Sequence, residues 1–185
     1  MINIRIIPNI ITISRIVLSF VFLLLAKIGL STYAFIIFII AIITDFLDGY
    51  LARKLNAVTT TGKILDPIAD KLIIIFGFII AYLHDIVPRW FVFLLITKEL
   101  VLIIGAIILI SKNKTKHIKS NIFGKLLMLT QSVYLIYVFF NSLILNTYSN
   151  KILNNTMLYI LALLVVITLI SYLYLFIKNL ITVKN

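Results

Sequence analysis

Long apolar runs broken by short polar stretches fill the chain. A helix needs roughly 20 apolar residues to cross the hydrocarbon core of a bilayer. On that ruler the pattern predicts six spans, at about 10–29, 33–52, 67–84, 89–110, 121–145 and 156–177. The connections are short except 53–66 and 111–120, and no repeat, linker or second domain interrupts the series. The expected fold is therefore an all-α integral membrane protein, with residues 1–185 forming one transmembrane domain.

Composition points the same way. Of 185 residues, 63% are hydrophobic and the mean hydropathy is +1.19, whereas a soluble domain is about half apolar. Cysteine is absent, which excludes disulfides and thiolate metal sites and leaves oxygen as the main ligand chemistry. The net charge of +11, in so apolar a chain, indicates anionic lipid or phosphate substrates and membrane topology rather than nucleic acid.

Lys and Arg placement sets the expected orientation. With both termini in the cytosol, the inner segments hold thirteen of the seventeen basic residues, from Arg5 and Arg15 through Arg53, Lys63 and Lys125 to Lys184. The outer side holds only Lys27, Arg89 and Lys151, and Lys98 falls inside a span. A cleaved signal peptide is the other reading of the first span. Asn9, Thr12 and Arg15 break its apolar run and no small-residue cleavage site follows, so a retained helix is expected.

Against this background, "DFLDGYLARKLNAVTTTGKILDPIAD" at 45–70 stands out, because it holds four of the six acidic residues of the chain. Asp45 and Asp48 are three apart, Asp66 and Asp70 four apart. On helices each pair shares a face. A loop between the inner ends of spans two and three brings four carboxylates to the membrane–cytosol boundary. Such a group repels itself unless protonated or neutralised by cations, and Mg²⁺ or Mn²⁺ suits its oxygen ligands. Two such ions about 3.5–4 Å apart form a clamp for phosphoryl chemistry. Gly49 and Ala52 leave room beside the carboxylates, Arg53 is a planar fork suited to phosphate, and Gly62 allows close backbone approach. Pro67 is expected in the first turn of span three, where its missing N–H costs little. The plainer reading makes these aspartates interfacial charges paired with Arg53, Lys54, Lys63 and Lys71.

These residues resemble the signature of the CDP-alcohol phosphatidyltransferase family: Asp, two residues, Asp-Gly, two, Ala-Arg, eight, Gly, three, Asp, three, Asp. Here it runs Asp45, Asp48-Gly49, Ala52-Arg53, Gly62, Asp66, Asp70, with every spacing kept. The six-span layout is similar too, so the resemblance covers essentially the whole chain. It implies a transferase with two metal ions, Mg²⁺ or Mn²⁺, that displaces CMP from a CDP-linked lipid with the hydroxyl of an acceptor alcohol. By the same resemblance Asp45, Asp48, Asp66 and Asp70 would hold the ions. Gly49, Ala52, Arg53 and Gly62 would shape the CDP-lipid site, and Asp70 would be the general base. A homodimer in the cell membrane, its active site facing the cytosol, is also implied.

For the acceptor the residues say less. "IPNIITISRI" at 7–16 looks like the start of family members that act on glycerol 3-phosphate, and Asn9, Thr12 and Arg15 form a polar stripe on an otherwise apolar span. Such a stripe faces protein or a wet cavity, and a substrate-facing role is expected. Lys98 and Glu99 lie near mid-membrane; adjacent helix positions diverge by about 100°, so a pair between them is not required, and they are either acceptor contacts or part of a structural ion pair such as Glu99 with Lys125 or Arg15. Gly124, Lys125 and Gln131 match the pattern of those members, with Lys125 expected on the acceptor phosphate, while Lys98, Ala106, Leu127 and Met128 depart from it. CDP-diacylglycerol and glycerol 3-phosphate are the expected substrates, with phosphatidylglycerol as the alternative acceptor of the cardiolipin synthases. A reading from another class, a divalent-cation transporter, gives no reason for Arg53 and Gly62 at fixed spacing. "SKNKTKHIKS" at 111–120 serves topology and lipid-surface contact. His84 and His117 are expected at solvated surface, and Trp90, Tyr33, Tyr82 and Tyr148 in the interfacial aromatic belt.

Overall fold

The computed structural model describes residues 7–54, 60–111, 122–145 and 151–181. Among them six α-helices and no strand occur: α1 (Ile7–Lys27), α2 (Ser31–Lys54), α3 (Thr60–Leu83), α4 (Arg89–Ser111), α5 (Ile122–Phe139), extended by a π-helical turn at Phe140–Ile144, and α6 (Lys151–Ile181). Each predicted apolar run falls on one of these helices. Four stretches of the described residues are long and apolar enough to cross a membrane: Ile10–Lys27, Arg89–Leu109, Ile122–Ser142 and Lys151–Lys178. Helix α2 adds a shorter apolar stretch, Ser31–Thr44. His117 and Tyr148 lie outside the described residues.

The faces of these helices invert the pattern of a soluble protein. On α1 the buried positions are Thr12, Arg15, Ser19, Phe22 and Ala26, while Ile10, Ile13, Val17, Phe20 and Leu24 are exposed. On α6 the buried series is Asn154, Leu158, Leu161, Val165 and Thr168, and Tyr159, Ile160, Leu163, Val166 and Ile170 are exposed. Spacings of three and four mark both as helical faces. Polar groups inside and branched apolar groups outside is the arrangement a lipid solvent selects. Hydroxyls on the helices turn back onto backbone carbonyls: Ser14 donates to Ile11, Thr44 to Ala41 and Ser132 to Met128.

Packing divides the chain into two compact units, Met1–Ile86 with Leu135–Ser149, and Val87–Tyr134 with Asn150–Asn185. In the first, α1 packs along both α2 and α3. The rings of Phe22, Phe38 and Phe139 meet pairwise at centroid distances of 5.2–5.7 Å, joining α1, α2 and the end of α5, and all three are fully buried. Small residues let backbones approach where no hydrophobic force drives helices together: Ala26, Ala34 and Ala41 are buried here. In the second, Trp90 of α4 stacks on Tyr159 of α6, centroids 6.2 Å apart, and the Tyr134 hydroxyl of α5 donates to Oδ1 of Asn154 at 2.8 Å.

Helices α1 and α3 end alike. Gly29 takes φ +84° and the Leu30 N–H returns to the Leu25 carbonyl at 3.0 Å; Asp85 takes φ +56° and the Ile86 N–H returns to Ala81 at 2.9 Å. Both are left-handed caps that close orphan carbonyls. His84 lies exposed in the second of these turns, as expected.

One boundary differs from expectation in a way that bears on the site. The connection predicted at 53–66 is largely helical, since α2 runs to Lys54 and α3 starts at Thr60. Pro67 therefore sits in the interior of α3, not in its first turn. Counting apolar residues marks the apolar part of a helix but not where its backbone hydrogen bonds begin, and Pro67, lacking an N–H, forgoes one of those bonds.

Gly77 of α3 faces Leu135, whose Cδ1 lies 2.6 Å from where a Cβ would be, with Phe38 Cε2 at 3.4 Å. Both neighbours are fully buried. Gly77→Val is expected to lower stability by about 1–3 kcal/mol through overpacking, read as a lower thermal midpoint in detergent. An unchanged midpoint would show that this contact relaxes freely.

Candidate active site

All eight signature positions lie in the first unit, at the end of α2 and the start of α3. Asp45, Asp48, Gly49, Ala52 and Arg53 fall in the closing turns of α2; Gly62 and Asp66 fall in the opening turns of α3, and Asp70 one turn further. Residues 55–59 join the two helix ends. Positions 45 and 48 share a face of α2, and 66 and 70 share a face of α3. The side chains of Asp45, Asp48, Gly49, Ala52, Arg53, Gly62 and Asp66, and that of Asn9 on α1, lie outside the described residues. The charged oxygen donors these two helix ends carry are carboxylates, with no thiolate or imidazole in the segment. That donor chemistry fits a hard divalent cation.

Asp70 is the signature aspartate whose surroundings are defined. The Nη1 group of Arg15, on α1, donates to Asp70 Oδ1 and forms an ion pair with it. Arg15 has no accessible side-chain surface, whereas the Asp70 side chain keeps 21% of its own. The register is set by the packing of α1 along α3 in the same direction, because Phe20 also meets Phe76, edge to face at 5.2 Å, at nearly the same sequence offset. Thr12 and Ser19, one turn either side of Arg15, are fully buried, and the Ser19 hydroxyl donates to the Arg15 carbonyl at 2.8 Å. The Thr12 and Arg15 positions of the polar stripe expected on the first span thus face protein, and Arg15 pairs with Asp70. Spacing along one helix gives no sign of that pairing.

In the second unit Lys98 and Glu99 pair with each other, Nζ to Oε1 at 2.6 Å. Although adjacent positions diverge, two long side chains on an apolar helix curl together, since neither charge is stable against lipid. Lys125 is exposed in the first turn of α5, and Gln131 is buried two turns on. The Tyr172 hydroxyl of α6 lies 2.8 Å from where a Cβ of Gly124 would be, so Gly124 leaves the space that this phenol fills.

The CDP-alcohol phosphatidyltransferase profile matches residues 5–170. The chain belongs to that family. The match takes in most of both units and all eight signature positions. Two relatives align over nearly the whole chain. The CDP-diacylglycerol–glycerol-3-phosphate 3-phosphatidyltransferase of Aquifex aeolicus is 35% identical over 90% of this chain and 93% of the relative. That of Wigglesworthia glossinidia brevipalpis is 33% identical over 91% and 93%. The Bacillus subtilis protein of the same name is 53% identical over 64 residues, 35% of this chain and 33% of the relative. As a CDP-alcohol phosphatidyltransferase the protein is an enzyme of phospholipid biosynthesis, which sets aside the transporter reading of the aspartates.

The Lys98–Glu99 pair gives this transferase a testable dependence. Glu99→Gln leaves a buried ammonium uncompensated and is expected to destabilise by about 3–5 kcal/mol, whereas the double variant Lys98→Met/Glu99→Leu loses much less. Thermal unfolding of the two in one detergent checks the order, and a double variant less stable than the single would contradict it.

Proposed function

We propose that the enzyme transfers a phosphatidyl group from CDP-diacylglycerol to glycerol 3-phosphate, giving phosphatidylglycerophosphate and CMP. The observation that carries this reading is the unbroken signature from Asp45 to Asp70 in a chain aligned nearly end to end with two relatives of that name. Six membrane-crossing helices with both termini and the signature on the cytosolic side go with it. Lys27, Arg89 and Lys151, the three basic residues assigned outside, stand at the end of α1 and the starts of α4 and α6, as the positive-inside rule asks.

Asp45, Asp48, Asp66 and Asp70 would hold two divalent ions, Mg²⁺ or Mn²⁺, whose positive charge offsets that of the pyrophosphate when bound. Gly49, Ala52 and Gly62 leave space for the CDP moiety, and Arg53 presents donors to its phosphate oxygens. Asp70 takes the proton of the acceptor hydroxyl as its oxygen bonds to the phosphorus bearing diacylglycerol. The bond from that phosphorus to CMP breaks, and the lipid keeps the phosphate. Lys125, exposed at the positive end of α5, binds the acceptor phosphate, with Lys98 and Glu99 of α4 as further acceptor residues. The enzyme would work as a homodimer in the cell membrane.

Phosphatidylglycerol as acceptor is the second reading, favoured by the departures at Lys98, Ala106, Leu127 and Met128. Purified protein in detergent with Mg²⁺ and CDP-diacylglycerol is expected to release CMP on addition of glycerol 3-phosphate and not of phosphatidylglycerol; the opposite preference would reassign the acceptor. In that assay Asp70→Asn should lose roughly 10²–10⁴-fold in turnover while still inserting in membranes, and wild-type turnover would remove the base role. Lys125→Ala should raise KM for glycerol 3-phosphate about tenfold or more with KM for CDP-diacylglycerol little changed. Equal shifts in both would argue against its contact with the acceptor.

A further inference from the structure

We propose that Arg15 is a positioning residue that acts through Asp70, fixing the orientation of its carboxylate, rather than a contact to the acceptor. This rests on the reading of Asp70 as the base. Three observations carry it. Arg15 is fully enclosed and offers no surface to a soluble ligand, while Asp70 retains part of its own. The contact is Nη1 to Oδ1, a charge-assisted hydrogen bond from a rigid planar guanidinium that holds that carboxylate oxygen in place. The two helices are held in register by Phe20 on Phe76, and Arg15 stands in a buried stripe between Thr12 and Ser19, so the guanidinium is itself fixed from α1.

The chemistry makes such a support useful. Asp70 is one of four carboxylates in a short stretch, and the repulsion among them favours turning it away. A general base must hold its lone pair within hydrogen-bond distance of one particular proton, and misplacement by about 1 Å costs on the order of 10²-fold in rate. An arginine delivered from an element outside the signature thus holds the last carboxylate from the side of α1. The same contact explains why a helix bounded by lipid carries an arginine at all: its charge is neutralised where it stands.

Full-length wild type and variants, purified in detergent, are compared for CMP release with whichever acceptor sustains wild-type turnover. Arg15→Gln is expected to lower kcat roughly 10–100-fold while KM for the acceptor and for CDP-diacylglycerol each move less than about threefold. Arg15→Lys, which keeps the charge but not the fork, should recover part of the loss, and it carries the same comparison if Arg15→Gln does not fold. In the Asp70→Glu background, where the carboxylate is already displaced, Arg15→Gln should cost less than about threefold more. A tenfold rise in acceptor KM at unchanged kcat would overturn the inference in favour of direct acceptor binding. A full multiplicative loss on top of Asp70→Glu would overturn it in favour of a role independent of Asp70. Asp70→Asn run alongside separates the two levels: if it keeps wild-type turnover, the base reading fails and the support of Arg15 falls with it. If Asp70→Asn is inactive and Arg15→Gln is not impaired, only the support fails.

Discussion

A polar group on a helix in lipid has no solvent to turn to, and this constraint orders the molecule. Every backbone N–H and C=O must be satisfied within the segment, so the long apolar runs are helical among the described residues. Serine and threonine hydroxyls fold back on carbonyls of the previous turn. Charged and amide side chains are drawn inward to meet one another: Arg15 to Asp70, Lys98 to Glu99, Tyr134 to Asn154. The polar minority, not the apolar majority, decides which face of each helix is inside.

That inversion also positions the chemistry. A phosphatidyltransferase brings a charged headgroup to a protein embedded among acyl chains. Its acidic signature occupies the second half of α2 and the first half of α3, on either side of the connection between them. Among the described residues, the Arg15–Asp70 contact is what reaches from the signature into the packed interior. It ties α1, which has no signature residue, to the final aspartate, and gives the first unit a polar lock beside its aromatic cluster of Phe22, Phe38 and Phe139.

Substitution patterns at the two buried ion pairs follow from different geometry. Lys98 and Glu99 are neighbours in sequence and stabilise one helix, whereas Arg15 and Asp70 are 55 residues apart and couple two. The first satisfies a local need that any adjacent pair of opposite charge meets. The second depends on a register between helices, and a shift of one residue would point the arginine into lipid.

Much of this is legible in the order of residues alone. The apolar runs locate all six helices, because hydropathy over about twenty residues reports directly on what a bilayer tolerates. The fixed spacings from Asp45 to Asp70 identify the family, because few chains this apolar keep carboxylates, glycines and an arginine at such intervals. Helix ends are less legible: Pro67 falls inside α3 because the helix begins at Thr60, before the apolar run that hydropathy detects. Which partners the intramembrane charges take is not legible at all. Arg15 is visible as one polar position in a stripe, but its engagement with Asp70 exists only through the packing of α1 on α3. A linear sequence encodes which residues cannot face lipid; the tertiary fold alone decides what each of them meets, since that depends on the relative rotation and register of helices far apart in the chain.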